Sequence, residues 1–284
     1  MRSYFRPVDL SEALALLVAS PLTVIAGGTD YYPARVGRPI GDDVLDITGL
    51  RMLRGIVDEG DHVRVGALTT WTDLIEARLP PWFDGYKLAA REVGGMQIQN
   101  AGTLCGNLCN ASPAADGTPN LLALDAEVVL SSVDGERRVP VAEFVTGNRR
   151  TIRRPDELVT ALLIPKPAPD ARQGTRSTWL KLGARRYLVI SIVMVAAVLE
   201  AAPDGTVGRL RVAIGSCSAV ARRLFKLERD LIGLPLNDRL AERVTTAHLA
   251  PLSPIDDVRG TAAYRRDAAL VLVRRALNQL TEDR

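Results

Sequence analysis

Two glycine-bearing stretches hold the residues whose types and spacing can do chemistry. The first is Ala26-Gly27-Gly28-Thr29-Asp30, at the end of a short apolar run. Paired glycines permit positive φ and remove Cβ atoms, so backbone N–H groups can close on an anion. A helix starting after Thr29 or Asp30 would add its N-terminal partial charge. Taken alone, the same residues also describe an ordinary tight βα turn. The second stretch runs through Gly102, Thr103, Leu104, Cys105, Gly106, Asn107, Leu108, Cys109, Asn110, Ala111, Ser112, Pro113, Ala114, Ala115 and Asp116. Small and amide residues at this density can set several donors around one ligand. Acting together, the two stretches can clamp a pyrophosphate from opposite sides. No Gly-x-Gly-x-x-Gly fingerprint lies between a strand and a helix, which argues against an ordinary nicotinamide-binding domain.

Other chemistries have little raw material. Cys105, Cys109 and Cys217 are the only cysteines. They are too few for a disulfide framework or for the four thiolates of an iron–sulfur cluster. With only His62 and His248, a His-rich metal site or a catalytic triad is disfavoured. Both histidines, and the Asp73/Glu76 pair, are read as structural or solvated. Tyr31 and Tyr32 are candidates for stacking, with core packing the commoner fate of such rings, and Tyr187, after Arg185-Arg186, is a candidate for gating access to a bound ligand.

The elements that must position these residues follow from the apolar periodicity. Asp9-Leu10-Ser11-Glu12 has the form of a capping box, opening a helix through Leu10, Leu14 and Leu17 that Ser20-Pro21 stops. Strands are expected over 22–26, 44–47 and 55–57, together closing a small α/β unit. The pattern restarts with a strand at 62–66, a helix starting at Thr70-Trp71-Thr72-Asp73, and a helix over 87–93. Further strands are expected at 127–131 and 158–164, with a hairpin turn at Gly135. Pro165-Lys166-Pro167-Ala168-Pro169 reads as a boundary. Beyond it, strands over 176–182, 190–200 and 209–215, a hairpin at Ala202-Pro203-Asp204-Gly205 and a helix over 261–280 describe an antiparallel sheet with helices on one side, a separate α+β unit. The expected divisions are 1–57, 58–168 and 169–284.

The 284 residues, 47% of them apolar, suffice for a large core or several small ones. The longest apolar run, 188–199, contains Ser191 and is too short to cross a bilayer. The first seven residues lack the apolar run of a secretory signal, so a cytoplasmic protein is expected. Residues 181–284 carry 17 Lys/Arg against 11 Asp/Glu, a basic bias that suits an acidic partner or a phosphorylated cofactor. Nucleic acid is excluded on the 5% aromatic content and the absence of basic runs interleaved with aromatics.

The two glycine stretches resemble the FAD-binding loops of the flavin subunits of molybdenum hydroxylases, the family of carbon monoxide dehydrogenase and xanthine dehydrogenase. Gln99-Asn100-Ala101-Gly102-Thr103 through Ser112-Pro113 and Asp116 is similar to their second loop. Three other segments are also similar to family segments: Gly66-Ala67-Leu68-Thr69-Thr70, Pro155-Asp156-Glu157-Leu158-Val159 and Asp257-Val258-Arg259-Gly260-Thr261-Ala262-Ala263-Tyr264-Arg265. The likeness runs in order through nearly the whole chain. It implies an α+β fold with two subdomains holding FAD, of the type shared with vanillyl-alcohol oxidase-like flavoproteins, plus a C-terminal antiparallel sheet with helices. In such proteins the loop at Ala26, Gly27, Gly28, Thr29 and Asp30 binds the pyrophosphate. Gly102, Thr103, Cys105, Gly106 and Asn107 approach from the other side. Ser112 and Asp116 contact the adenosine half or support the loop, and Lys181 lies near the flavin ring. The resemblance further implies an iron–sulfur small subunit and a molybdopterin large subunit as partners, in a dimer of heterotrimers. The chain would then pass electrons from [2Fe-2S] clusters through FAD to a terminal acceptor, with no catalytic acid or base of its own. Two departures stand out: Cys105 replaces one of a glycine pair, and Gln99 replaces an arginine. They leave open a flavin-free structural subunit. A free-standing FAD-dependent oxidoreductase is the other rival.

Overall fold

The computed structural model describes residues 3–39 and 41–282; Met1 and Arg2, part of the leader reading above, lie outside them. Strand β1 (Tyr4–Phe5) leads into α1 (Leu10–Ala19), whose N-cap Asp9 accepts from the amides of Ser11 and Glu12. The helix stops at Ser20, as expected. Strands β2 (Thr23–Ile25) and β3 (Val44–Asp46) join β1 in a parallel sheet of order β1-β3-β2. Among the described residues between them, a single 3₁₀ turn, Pro33–Arg35, takes the place of the helix expected after Asp30. Pro33 occupies the first position of that turn, where proline is tolerated, and Val36 leaves helical backbone (φ −55°, ψ 129°), which ends it.

Strand β4 (Ile56–Glu59) pairs with β5 (His62–Gly66). The strand expected to close the first unit therefore belongs to the second sheet. Helices α2 (Trp71–Glu76), α3 (Asp84–Glu92), α4 (Met96–Ala101), α5 (Leu104–Asn110) and α6 (Thr118–Ala123) follow. The sheet resumes with the hairpin β6 (Glu127–Ser132) and β7 (Gly135–Pro140), whose turn falls at the expected Gly135. Helix α7 (Val141–Phe144) and the small ribbon β8 (Val145–Gly147) and β9 (Arg150–Thr151) lead to β10 (Leu158–Pro165). The second sheet is antiparallel, in the order β4-β5-β10-β6-β7.

The third sheet runs β11 (Thr175–Leu182), β12 (Val193–Ala201), β13 (Val207–Gly215) and β14 (Arg222–Arg223), all antiparallel. Helices α8 (Phe225–Leu231) and α9 (Ala262–Glu282) complete the chain. Alternate residues of β12 serve two cores. Val193, Val195, Ala197 and Leu199 join one with the buried faces of α8 and α9. Met194, Ala196 and Val198 join the other with residues of α3 and α6. The helices of the expected C-terminal unit, α8 and α9, lie on one face as read from the sequence, while α3 and α6, from the preceding part of the chain, cover the opposite face. A strand buried on both faces reads as a continuous apolar run, and so it does here. Asp125, just beyond α6, takes Arg223 at 2.7 Å and Arg209 at 2.8 Å across the same junction.

Candidate functional site: a glycine-lined cavity

The two glycine stretches meet. A Cβ on Gly27 would sit 1.8 Å from the Ala101 carbonyl oxygen, and one on Gly102 would sit 3.2 Å from Thr29 Oγ1. Backbone touches backbone there, and only glycine fits. Gly28 has φ +66°, a conformation that favours glycine, with the Tyr32 ring packed against the place a Cβ would take. Among the described residues, the amides of Gly27, Gly28, Thr29 and Asp30 donate to no protein acceptor. Backbone donors in such a place require water or a ligand.

The second stretch is not an open loop. It is the turn and helix of α5, anchored at its start by Trp71 N–H donating to the Gly102 carbonyl and Leu104 N–H to the Thr69 carbonyl. Thr103 is the N-cap, its Oγ1 accepting from the Gly106 amide at 3.0 Å. Thr70 caps α2 through a capping box with Asp73, which also pairs with Arg54 at 2.8 Å. Cys105 is helical and has an ordinary φ, so it carries none of the strain that a left-handed glycine site would impose. Its buried thiol is pushed well above the usual range by desolvation, and that of Cys109 to about 11. A thiol so protonated is a poor nucleophile and a poor redox centre. Gln99 donates to the Arg91 carbonyl at 3.2 Å.

A cavity of about 550 Å³ opens between these elements. Ala26, Gly27, Gly28, Thr29, Asp30, Gly102, Thr103, Cys105, Gly106 and Asn107 all line it. Ser112, Asp116 and Lys181 do not. The Ser112 hydroxyl accepts from the Ala114 amide at 3.2 Å and so shapes its own turn. Asp116 and Lys181, far apart in sequence, form a largely buried ion pair at 3.1 Å, and Ser191 donates to the other Asp116 oxygen at 2.6 Å. Burial pushes the Asp116 carboxyl up, while Lys181 and Ser191 pull it back.

Several cavity residues went unread in the sequence. Arg149, with a left-handed φ of 58°, lines the cavity, hydrogen-bonds Asn110 and comes within 4.0 Å of Asp30. Arg153 and Arg35 line it too. The basic cluster Arg149-Arg150 and Arg153-Arg154 was the available signal. Arg35 lies 3.8 Å over the Tyr31 ring and pairs with Asp42 at 2.6 Å, so Tyr31 is engaged within its own loop. Tyr187 is exposed, beside Arg186, and away from this cavity. Neither histidine lines the cavity: His62 hydrogen-bonds Glu59 and Asp61, and His248 hydrogen-bonds Asp230 and the Thr245 amide.

A mixed helix-and-sheet protein that brings two glycine backbones together over one cavity, with unpartnered amides and arginines on its wall, is built to hold a phosphorylated ligand. Residues 1–167 match the FAD binding domain in molybdopterin dehydrogenase, and residues 179–280 match the CO dehydrogenase flavoprotein C-terminal domain. The chain belongs to this family: it is an FAD-binding medium subunit of the molybdenum hydroxylase type, part of an oxidoreductase. It is 30% identical to the glyceraldehyde dehydrogenase medium chain of Sulfolobus acidocaldarius, covering 98% of each chain. It is also 30% identical to the carbon monoxide dehydrogenase medium chain of Hydrogenophaga pseudoflava, over 97% of this chain and 95% of that one. The reconstituted CO dehydrogenase from Oligotropha carboxidovorans superposes with a TM-score of 0.89 at 26% identity, covering 100% of this chain and 99% of that chain.

Proposed function

We propose that this chain relays electrons, taking them from [2Fe-2S] clusters of a small partner subunit and passing them through FAD to a terminal acceptor. A molybdopterin large subunit would oxidise the substrate, in a dimer of heterotrimers. The observation that carries the reading is the backbone contact of Gly27 on Ala101, which brings residues 27–30, whose amides have no protein acceptor, and the capped start of α5 to the wall of one cavity. Those residues suit a pyrophosphate, whose charge Arg149 and Arg153 would balance. The apolar wall of Val24, Ile25, Ile47, Val93 and Leu158 suits an uncharged ring system.

FAD, when bound, supplies the change between two-electron and one-electron transfer. The protein's own residues hold it, exclude water and set the local field. Thr103 holds the α5 turn, Asn107 accepts from the Gly117 amide at 3.3 Å, and Ser112 shapes the bend that leads to Asp116. We place Lys181 near the flavin ring, where its cation would stabilise negative charge gained on reduction and so raise the potential. Asp116 and Ser191 hold that cation in place. The finer assignments belong to the same proposal: a fold of the vanillyl-alcohol oxidase-like type, divisions near residues 57 and 168, and a cytoplasmic location. The last is compatible with the finding that no helix among the described residues is long and apolar enough to cross a membrane.

The test is to titrate the purified full chain with FAD and follow the visible flavin bands, then to add the cluster-containing and molybdenum-containing subunits. Saturation at about one flavin per chain, with flavin reduction by substrate only in the full complex, is expected. Failure to take up FAD even with both partners present would leave the flavin-free structural subunit. Flavin reduction by substrate in the isolated chain would leave the free-standing oxidoreductase.

A further inference from the structure

The segment Asp257-Val258-Arg259-Gly260-Thr261-Ala262-Ala263-Tyr264-Arg265 contributes nothing to the cavity wall. Yet its last residue is among the most deeply buried side chains of the molecule: Arg265 is 1% exposed. A buried guanidinium is costly unless it is paired and hydrogen-bonded, and both terminal nitrogens of this one are engaged, with Nε left without a partner. Arg265 Nη2 donates to Asp257 Oδ1 at 2.7 Å, and Nη1 donates to two carbonyls, Ile192 at 2.6 Å and Ser216 at 3.1 Å.

Both carbonyls belong to backbone that supports the Asp116–Lys181 pair. The Ile192 amide donates to the Leu182 carbonyl at 2.8 Å, one residue beyond Lys181. The residue before Ile192 is Ser191, whose hydroxyl holds Asp116 at 2.6 Å. On the other side, Ser216 sits in the left-handed region with φ 62°, and its amide donates to the Pro113 carbonyl at 3.0 Å, inside the bend that ends at Asp116. One guanidinium nitrogen thus binds two carbonyls, each on a residue whose own amide is hydrogen-bonded to the backbone beside one member of the pair: Ile192 to Leu182 next to Lys181, Ser216 to Pro113 in the bend that ends at Asp116.

We infer that Arg265, fixed by Asp257, is a positioning residue that sets the place of the Lys181 cation, and through it the reduction potential of the bound flavin. The inference rests on the assignment of Lys181 to the neighbourhood of the flavin ring. A lysine at position 265 keeps the charge but has one nitrogen, and so cannot reach Asp257 and the two carbonyls from the separate positions that Nη2 and Nη1 occupy. Loosening the pair lets Lys181 withdraw, which lowers the potential.

The test uses the full-length chain loaded with FAD and measures the flavin midpoint potential in Lys181→Met, Arg265→Lys and Ser191→Ala, beside FAD affinity and thermal melting. Ser191→Ala removes one hydroxyl and keeps the test open if Arg265→Lys fails to fold. The expected result is a negative shift of the potential in all three. In the double variant Lys181→Met/Arg265→Lys the shift should not exceed that of Lys181→Met alone. Folded, loaded Arg265→Lys and Ser191→Ala proteins with the native potential, beside a shifted Lys181→Met, would overturn the positioning role while leaving the Lys181 assignment standing. A native potential in Lys181→Met would overturn that assignment and the inference with it. A lowered melting temperature at unchanged potential would mark Arg265 as structural only.

Discussion

At Gly27 a single methyl group decides whether the two halves of the cavity can meet. Its Cβ would overlap the Ala101 carbonyl, which is backbone and cannot rotate away. Gly27→Ala is expected to push the loops apart and to weaken FAD binding by at least about tenfold, which is about 1.4 kcal/mol. Direct titration of the full chain would show it, and unchanged affinity would mean that the contact does not shape the site. Glycine at this position is legible in the sequence; that its neighbour is Ala101 is not. Cys105 teaches the converse lesson. In the sequence it looks like an intruder in a glycine pair, but it sits in ordinary helical backbone with its side chain packed into the core.

At the scale of the element, α5 depends on its cap. Thr103→Ala removes the acceptor for the Gly106 amide and should cost about 1 kcal/mol of stability and loosen the cofactor. Thr103→Ser should restore both, a comparison that thermal melts with and without FAD would read. The end of the second sheet makes a pH-dependent prediction. Glu157, 3% exposed, takes a two-pronged hydrogen bond from Arg137 at 2.6 and 2.9 Å and another from the Arg154 amide at 2.7 Å. The Arg137 guanidinium, above all, holds its carboxyl below the ordinary glutamate value. A carboxyl depressed by folding contributes stability above its unfolded value, and that stability is lost as the pH falls through the folded value. Glu157→Gln should therefore cost about 1–3 kcal/mol near neutrality. The gap from the native protein should close as the pH drops below the ordinary carboxylate range. Denaturation at a series of pH values would check it; a gap independent of pH would mean that the charge contributes nothing.

At the scale of the molecule, the third sheet is a partition between two cores. Its strands could be read from the sequence because β12 is apolar from Val193 to Leu199 and the turn at Ala202-Pro203-Asp204-Gly205 is unmistakable. Its partners could not. A fragment of residues 169–284 keeps α8 and α9 but loses α3 and α6, exposing Trp179, Met194, Ala196, Val198 and Ala213. Such a contiguous apolar face is an aggregation hazard. The fragment is expected to be insoluble or to bind a hydrophobic dye strongly, while the full chain unfolds in one transition. A soluble, cooperatively folding fragment with no dye binding would show that the covered face is dispensable.

The elements whose signals are local were determined by the sequence itself. Asp9 and Thr70 start helices because their side chains reach amides two or three residues on, and Gly135 turns a hairpin because the chain must reverse there. The glycines that line the cavity were legible for a similar reason, since the absence of a side chain is visible wherever it occurs. What only the tertiary structure decided depends on residues remote in the chain. The helix expected after Asp30 yields to a turn, β4 joins the second sheet, and α3 and α6 cover a face that periodicity leaves open. Arg149 reaches the cavity through a left-handed backbone that no residue type announces. Asp116 finds Lys181 and Ser191 because β11 and the segment before β12 lie side by side at the foot of the α5 bend. Local hydrogen bonds and side-chain sterics are written in neighbouring residues, whereas the pairing of distant charges and the covering of an apolar face are settled only when the whole chain packs.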